Sequence, residues 1–423
     1  MGLSSTLYTG ISGLQANSEA MSVTGNNISN SNTIGFKSSS TMFSDALSAS
    51  ISSSSGTAQV GRGTQIANIK TTFSQGSFQK SASSTDLAIE GNGFFMLSNE
   101  GSSETFYTRN GSFSFDPNGY LISAEGYRVQ GKGFDNNGTL LGGDPTDIRV
   151  DVNSQIPARQ TRELTLKTNL DSGSTQKDPF DITDPTETSN YSTSTDLFDS
   201  LGNKHTATTY FVKTSPLTWE WHTVVNSSEL SAAAAGPNSL TEVGTGTLTF
   251  DNEGKLLSGG TASTNAGTLA WDNGADTSQQ INMNFNTTQF NSSSIVISQD
   301  QDGYAPGEVT KVSIDNDGTV IASYSNGEKI NIARLTLATF TNPEGLSKEG
   351  GSLYSSTANS GSASVGVAGA SQGKIYTNSL ELSNVDLAQE FVNLITIQNG
   401  YSASSKVITT TDEMLQELIN LKR

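Results

Sequence analysis

The chain has 423 residues, enough for two or more compact units; 33% of them are hydrophobic, 15% charged, 42 are glycine and 9 proline, a balance of many polar turns rather than a helical bundle. With 41 acidic against 23 basic residues the formal net charge is −18, which argues against binding to nucleic acid or an anionic membrane, and the absence of cysteine excludes disulfides, thiolate zinc sites and cysteine nucleophiles. No apolar run reaches the ~20 residues of a bilayer span, and Met1 to Gly10 has no cleavable signal pattern, so an extracellular destination implies another export route.

The charge is unevenly spread. Residues 1–75 hold Glu19 and Asp45 against Lys37, Arg62 and Lys70, and residues 376–423 hold six acids and three bases, so the middle carries most of the negative charge. That division suits a solvated acidic body on ends that pack against other protein.

At the N-terminus Leu7, Ile11, Leu14, Ser18, Met21, Gly25 and Ile28 alternate gaps of four and three, a heptad seam that predicts a helix. Ser38 to Ser55 follows, with ten serines in eighteen positions, and reads as an extended or adaptable connector; Ser355 to Gln372, rich in Ser, Gly and Ala, reads likewise. In the middle, alternation replaces helical periodicity at Leu164 and Leu166, Thr206 to Val212, Leu248 and Phe250, Ile330 and Ile332, and Leu335 and Leu337, which predicts strands.

A short pattern recurs between strands: an apolar residue, Asp, two variable residues, Gly, one variable residue, then another apolar residue. It occurs at Phe115 to Leu121, Phe134 to Leu140, Phe250 to Leu256 and Ile314 to Val320. Aspartate accepts a local backbone hydrogen bond and glycine takes the positive φ that returns the chain, so these are hairpin turns. A calcium loop would need further acids and a closing Glu, which no copy supplies.

The far end repeats the heptad alternation at Leu387, Phe391, Leu394, Gln398, Tyr401, Ser405, Ile408, Asp412, Leu415 and Ile419. Ser383 and Asn384 are candidate caps for this helix, with Asp386 and Glu390 at its positive end and Lys422 and Arg423 at its negative end. Large apolar residues on the two seams, Leu7, Ile11, Leu14, Met21 and Ile28 with Leu387, Phe391, Leu394, Tyr401, Ile408, Leu415 and Ile419, are the expected assembly contacts.

Chemistry-bearing motifs are few. His205 and His222 are the two histidines, and Asp196 and Asp199 precede His205, but no nucleophile elbow, zinc-protease pair or phosphate loop occurs. Gly91-Asn92-Gly93 and Gly131-Lys132-Gly133 are too short for a dinucleotide fingerprint. The residues motivate no enzyme, metal or cofactor, and the histidines are expected to be structural.

Three segments resemble the bacterial flagellar axial family of rod, hook and junction proteins. Thr24 to Lys37, with Asn26, Asn27, Asn30, Asn32, Thr33, Gly35, Phe36 and Lys37, resembles the asparagine-rich signature that ends the family's first helix, though alanine is commoner at Gly25, Ser29 and Ser31. Asp86 to Phe95 and Thr108 to Phe113 resemble its first β-domain, and Ser383 to Ala403 its closing helix. The large segment from about Val150 to Gln301, with Asp199 to His205, is similar to the hook branch rather than the shorter rod proteins.

The resemblance implies a mainly β fold with α-helical termini and nested, discontinuous domains. These are an axial coiled-coil pair with the serine-rich connector (1–75 and 376–423), an inner β-domain (76–149 and 302–375) and an outer inserted β-domain (150–301), the β-domains barrel- or sandwich-like. It implies a structural subunit that leaves through the flagellar type III export apparatus and adds beneath a hook cap. There it polymerises with itself into a curved, flexible extracellular tube between rod and junction proteins, a universal joint that passes motor torque to the filament, with no nucleic acid and no membrane insertion. The rivals are a secreted adhesin or glycan-binding β-protein, and a rod protein of the same family.

Apolar burial along one helix pair barely offsets the ordering cost of both ends, so the termini are expected to gain order from neighbours. Circular dichroism should show helicity rising when the dilute chain polymerises; full terminal helicity in the dilute monomer contradicts this.

Overall fold

A computed structural model describes residues 3–46, 49–53, 56–102, 104–135, 138–151, 155–265, 267–369 and 372–421. Lys422 and Arg423, the turn residues Asn136 and Asn137, and positions 47, 48, 54 and 55 of the serine-rich stretch lie outside the described residues. The chain divides into two units, one of Met1–Val152, Lys311–Ala322 and Ile330–Arg423, the other of Asn153–Thr310 and Ser323–Lys329. The fold is mainly β, with helices α1 (Leu3–Ser29), α2 (a single turn, Pro185–Thr188) and α3 (Leu387–Leu421) among the described residues.

In the first unit α1 and α3 run antiparallel. A Cβ built at Gly10 would stand 2.7 Å from Ile408 Cγ1, one at Gly13 would stand 2.6 Å from Ser404 Oγ, and one at Gly400 would stand 2.9 Å from Asn17 Oδ1. The buried face of α1 is therefore Gly10, Gly13, Ala16, Ala20, Thr24 and Asn27, a row of small residues that brings two backbones close. On α3 the facing row is Gly400, Ser404, Ile408 and Thr411.

The heptad period thus describes both helices, but the face closing the pair differs in phase from the large apolar stripe, with which it shares Ile408. Of the stripe residues, Ile11, Leu387, Phe391, Tyr401 and Ile419 are exposed, while Leu7, Leu14, Met21, Ile28, Leu394, Ile408 and Leu415 are half-buried. The cap of α3 also differs from expectation. Asp386, not Ser383 or Asn384, accepts the backbone N–H groups of Ala388 (2.9 Å) and Gln389 (3.2 Å).

The serine-rich stretch, expected to be an extended or adaptable connector, is extended and paired. Ser39–Asp45 pairs antiparallel with Thr64–Thr71, and beyond it Ala49–Ser53 pairs with Gly56–Val60. The hairpin lies on α1: Ser12 Oγ accepts the Thr64 N–H at 3.3 Å, and a Cβ on Gly63, at φ +110°, would come within 2.0 Å of that oxygen. Ser355 to Gln372 likewise contains the strand Ser364–Val367, paired with Thr336 to Thr339.

The rest of this unit is built from strands of both chain halves. Phe78–Lys80 pairs with Ser379–Glu381, Leu87–Glu90 with Lys374–Thr377, and Thr105–Thr108 with Leu353–Ser355, all antiparallel. Phe94, Met96, Tyr107, Ala338, Phe340 and Tyr354 form an aromatic core between them.

The second unit is two five-stranded sheets. One is an antiparallel meander of Tyr191–Phe198, Lys204–Ser215, Thr218–Asn226, Leu240–Phe250 and Leu256–Ser258. The other centres on Glu163–Asp171, parallel to Asn282–Phe285 and Thr288–Phe290 and antiparallel to Ile295–Gln301. Leu164, Leu166, Leu170, Phe211, Leu248, Phe250 and Phe285 fill the core with all three tryptophans, Trp219, Trp221 and Trp271. Buried indole N–H groups find acceptors, Trp219 on Gln289 (3.2 Å) and Trp271 on Gln279 (2.7 Å).

The Asp-x-x-Gly turns form as their chemistry dictates. Asp116, Asp135, Asp251 and Asp315 each accept the N–H four residues on, at 2.7 to 2.8 Å, and Gly119, Gly138, Gly254 and Gly318 have φ between +74° and +83°. A fifth copy closes at Asp199, which accepts the N–H groups of Leu201 and Asn203, with Gly202 at φ +86°.

Close approach of α1 to α3 depends on glycine. Gly10→Leu forces the helices apart at Ile408 and should destabilise the pair by about 1–3 kcal/mol. This is read as a lower urea midpoint in far-ultraviolet dichroism, with partial recovery when Ile408→Ala is added.

Candidate assembly site at the meeting of the chain ends

The signature that closes α1 is a polar clamp. Asn27, 1% exposed, donates from Nδ2 to Ser39 O (2.7 Å) and Glu390 Oε1 (3.1 Å), and its Oδ1 accepts the Ser39 N–H (3.0 Å). One amide thereby holds the end of α1, the departing strand and the first turn of α3. Asn30 donates to Asn26 Oδ1 (3.0 Å) and accepts from Thr33 Oγ1 (3.0 Å), stiffening the turn, while Asn32 is exposed.

Gly35 then lets the chain pass against the inner β-strands. Its φ is +69°, its N–H donates to Glu381 O (2.8 Å), and a Cβ there would lie 2.6 Å from Asn110 N. Asn384 answers from the other chain end: its Oδ1 accepts the Ser38 N–H (2.8 Å) and its Nδ2 donates to Thr72 O (2.8 Å) and Ser74 Oγ (2.9 Å).

Beneath this clamp lies a fully buried charge cluster. Lys37 and Glu381 side chains are both 0% exposed, and Lys37 Nζ donates to Glu381 Oε1 (2.6 Å) and Ser74 O (2.8 Å). Arg109 reaches Glu381 Oε2 from Nη1 (3.4 Å) and Gly91 O from Nη2 (2.7 Å), and its guanidinium stands 5.3 Å from the Phe94 ring centre. Glu381 Oε1 also accepts the Gly76 N–H at 3.0 Å. Burial lowers the Lys37 pKa and Glu381 offsets this only in part; burial lowers Arg109 in the same way. Two cations on one carboxylate, with Arg109 Nε lacking a hydrogen-bond partner among the described residues, make Glu381 the member the cluster can least lose.

The three signature segments of the sequence converge here: Lys37 from the first, Arg109 and Asn110 from the second, Asn384 from the third. Phe36 is half-buried, with Lys348 Nζ 5.5 Å from its ring centre. Glu381 was not singled out in the sequence, because one glutamate in a run of Ser, Leu and Asn carries no motif; its cue was its place shortly before the closing-helix signature.

The histidines lie elsewhere, in the second unit. His205 stacks on Trp271 (3.6 Å between centres), with Nδ1 2.6 Å from Glu229 Oε2 and Nε2 3.4 Å from Asp199 Oδ2. Burial would raise the Asp199 pKa, but hydrogen bonds from Asn203, Asn273 and His205 outweigh it and hold the carboxyl below its ordinary range. Asp196 is taken by Lys204 at 2.8 Å. His222 stacks on Phe180 and meets Glu242 at 2.7 Å.

Known families match the chain in the same order as these structural segments. The family described as flagella basal body rod protein matches residues 7–37, the flagellar hook protein FlgE/F/G D1 domain 88–176, the flagellar basal body protein FlaE D2 domain 169–304, and the flagellar basal body rod FlgEFG protein C-terminal 376–421. The chain is 36% identical over 421 residues to the flagellar hook protein FlgE of Salmonella typhimurium, covering 97% of this chain and 98% of that one. It belongs to the flagellar hook protein family.

The hook protein FlgE of Borreliella burgdorferi is likewise 36% identical, over 99% of both chains. The crystal structure of Helicobacter pylori flagellar hook protein FlgE2, 16% identical, aligns with a TM-score of 0.50 over 72% of this chain and all of that one, a likeness of fold. The chain is a structural subunit of the bacterial flagellar hook, and the hook match over its whole length decides against the adhesin and rod readings. No helix among the described residues is long and apolar enough to cross a membrane.

Removing one partner of a buried ion cluster leaves the others uncompensated. Lys37→Met should cost about 3 kcal/mol and Glu381→Gln more, since it strands two cations. Urea titration followed by helical dichroism checks the order; equal or negligible losses contradict the role given to Glu381.

Proposed function

We propose that the chain polymerises into a curved tube outside the cell, its α1–α3 pairs forming the inner wall and its acidic second unit the outer surface, and that the tube carries motor torque while it bends. The observation that carries this reading is the division of labour on the terminal helices. Small residues supply the α1 side of the closed pair, so large apolar side chains stay available to other copies: Phe391 of the stripe is 50% exposed and Ile395, one turn on and beside the stripe, 57%. A stripe of that kind on a lone helix pair favours association.

The stripe residues Leu7, Ile11, Leu14, Met21, Ile28, Leu387, Phe391, Leu394, Tyr401, Leu415 and Ile419 are the proposed contacts between subunits; Ile408, expected among them, packs instead on Gly10 of its own chain. The nested scheme of an axial pair (1–75, 376–423), an inner β-domain (76–149, 302–375) and an outer β-domain (150–301) is the proposed domain plan. An outer surface rich in acidic side chains makes hydrated contacts that slide, whereas the apolar inner seams resist separation. Type III export, addition beneath a hook cap, and rod and junction proteins at the two ends complete the proposal.

Replacing Phe391 and Ile395 together by lysine should raise the concentration needed for polymerisation at least ten-fold, since each loses about 1–2 kcal/mol of burial. Electron microscopy of the purified chain in high salt measures this, with tryptophan fluorescence reporting that the second unit stays folded. Tubes from the lysine variant at the unmodified concentration would overturn the proposal.

A further inference from the structure

The chain's two histidines share one arrangement, and both lie in the second unit. Each imidazole lies flat on an aromatic ring and has a carboxylate off both ring nitrogens. His205 stacks on Trp271 with 8° between planes; its Nδ1 is 2.6 Å from Glu229 Oε2 and its Nε2 3.4 Å from Asp199 Oδ2. His222 stacks on Phe180 at 4.2 Å and 9°, with Nδ1 2.7 Å from Glu242 Oε1 and 3.1 Å from Thr245 Oγ1. Its Nε2 is buried, has no hydrogen-bond partner among the described residues, and faces Glu220 Oε2 at 3.9 Å.

A neutral imidazole carries one N–H, so donating to one carboxylate turns a lone pair on the other. With both nitrogens protonated the ring donates on both sides and is drawn to the aromatic face beneath it. Burial of His205, 8% exposed, works against that charge, and two facing carboxylates work for it. Against the raising effect of burial, hydrogen bonds from Asn203, Asn273 and His205 keep the Asp199 carboxyl below its ordinary range, so one of these charges is secure. Cations on the surrounding elements have partners of their own: Lys204 has Asp196, Lys213 the Ser172 and Ser174 carbonyls, Lys177 the Glu187 carbonyl, and Arg162 the charge of Asp276. The acids beside the stacked rings in sequence, Asp272 next to Trp271 and Asp178 and Asp181 near Phe180, add charge of the same sign as the facing carboxylates.

The aromatic rings belong to segments that join strands. Trp271 carries the loop 270–276, whose Asp272 N–H donates to Glu229 O (2.9 Å) and whose Asn273 Nδ2 donates to Asp199 Oδ2. Phe180 carries the strap 172–190, which links Glu163–Asp171 to Tyr191–Phe198 and covers Tyr210 and His222. We propose that each histidine is held as an imidazolium and latches its segment, His205 the Trp271 loop and His222 the Phe180 strap, so that withdrawal of the second proton loosens both. The folded unit then binds more protons than the unfolded chain, so the latches are closed toward acid pH and open as pH rises. This device belongs to the second unit alone and stands whether or not the chain polymerises.

With only two histidines, 15N-histidine labelling of the dilute full chain gives two imidazoles, assigned by His205→Asn and His222→Asn. At neutral pH both nitrogens of each ring should carry a proton; a lone-pair nitrogen on either ring overturns the latch there. Hydrogen exchange with mass spectrometry then reads the segments. Between about pH 6 and about pH 9, protection corrected for the intrinsic rate should fall at least ten-fold in 270–276 and in 175–188, as a hydrogen bond to a charged group is lost. At neutral pH Glu229→Gln should loosen the first segment and Glu242→Gln the second, each leaving the other alone, and at alkaline pH both variants should match the unmodified chain. Segments whose protection holds steady while the rings titrate overturn the proposal, and so do variants loosened equally at every pH, the mark of a merely structural contact.

Discussion

One buried carboxylate organises the first unit. Glu381 takes the Lys37 ammonium from the segment leaving α1 and the Arg109 guanidinium from the inner β-strands, and sits shortly before the start of α3. Ion pairs of this depth are poor sources of net stability, because desolvation offsets most of the attraction, but they are strict about geometry. The cluster thereby acts as a register mark: the two chain ends, some 340 residues apart in sequence, meet in a single arrangement or leave a charge stranded. Asn27 and Asn384 add the same strictness with neutral groups, each spending its amide on backbone from other segments.

Folding the two chain ends against each other has a topological effect. Once Phe78–Lys80 meets Ser379–Glu381 and Leu87–Glu90 meets Lys374–Thr377, the middle of the chain emerges as a closed loop free to fold as it will. The second unit uses that freedom to build its own core around three tryptophans, independent of the charge cluster. Its stability carries its own acid dependence: Asp199 has a depressed pKa, so its contribution is complete above the ordinary value of 3.8 and is lost as pH falls through the lower folded value.

Legibility in the sequence followed the range of the interaction. The Asp-x-x-Gly turns could be read residue by residue because donor, acceptor and positive-φ glycine lie within five positions; the Asp199 copy escaped because Lys204 stands where the other copies have an apolar residue. Strands at Leu164, Thr206, Leu248 and Ile330 were legible from alternation. The helices were legible in period but not in which face closes the pair, since a search for large apolar residues cannot find a seam of Gly10, Gly13, Ala16 and Ala20. Serine content suggested a connector at Ser38 to Ser55, whereas pairing with Thr64–Thr71, fixed from outside the segment, makes it a strand. Partnerships such as Lys37 with Glu381 and Asn384 with Ser38 are long-range choices, visible only once the fold brings the residues together.

The small-residue seam between α1 and α3 also has a mechanical side. Knobs of leucine set into holes resist sliding; a smooth face of glycine and alanine offers little hindrance to axial shear. What pins the pair lengthwise is the packing of Ile408 on Gly10 together with the hydrogen bond from Asn27 to Glu390. In the proposed tube, any give of such a pair along its length would serve a wall element of a bent cylinder whose one side must lengthen as the other shortens with every revolution.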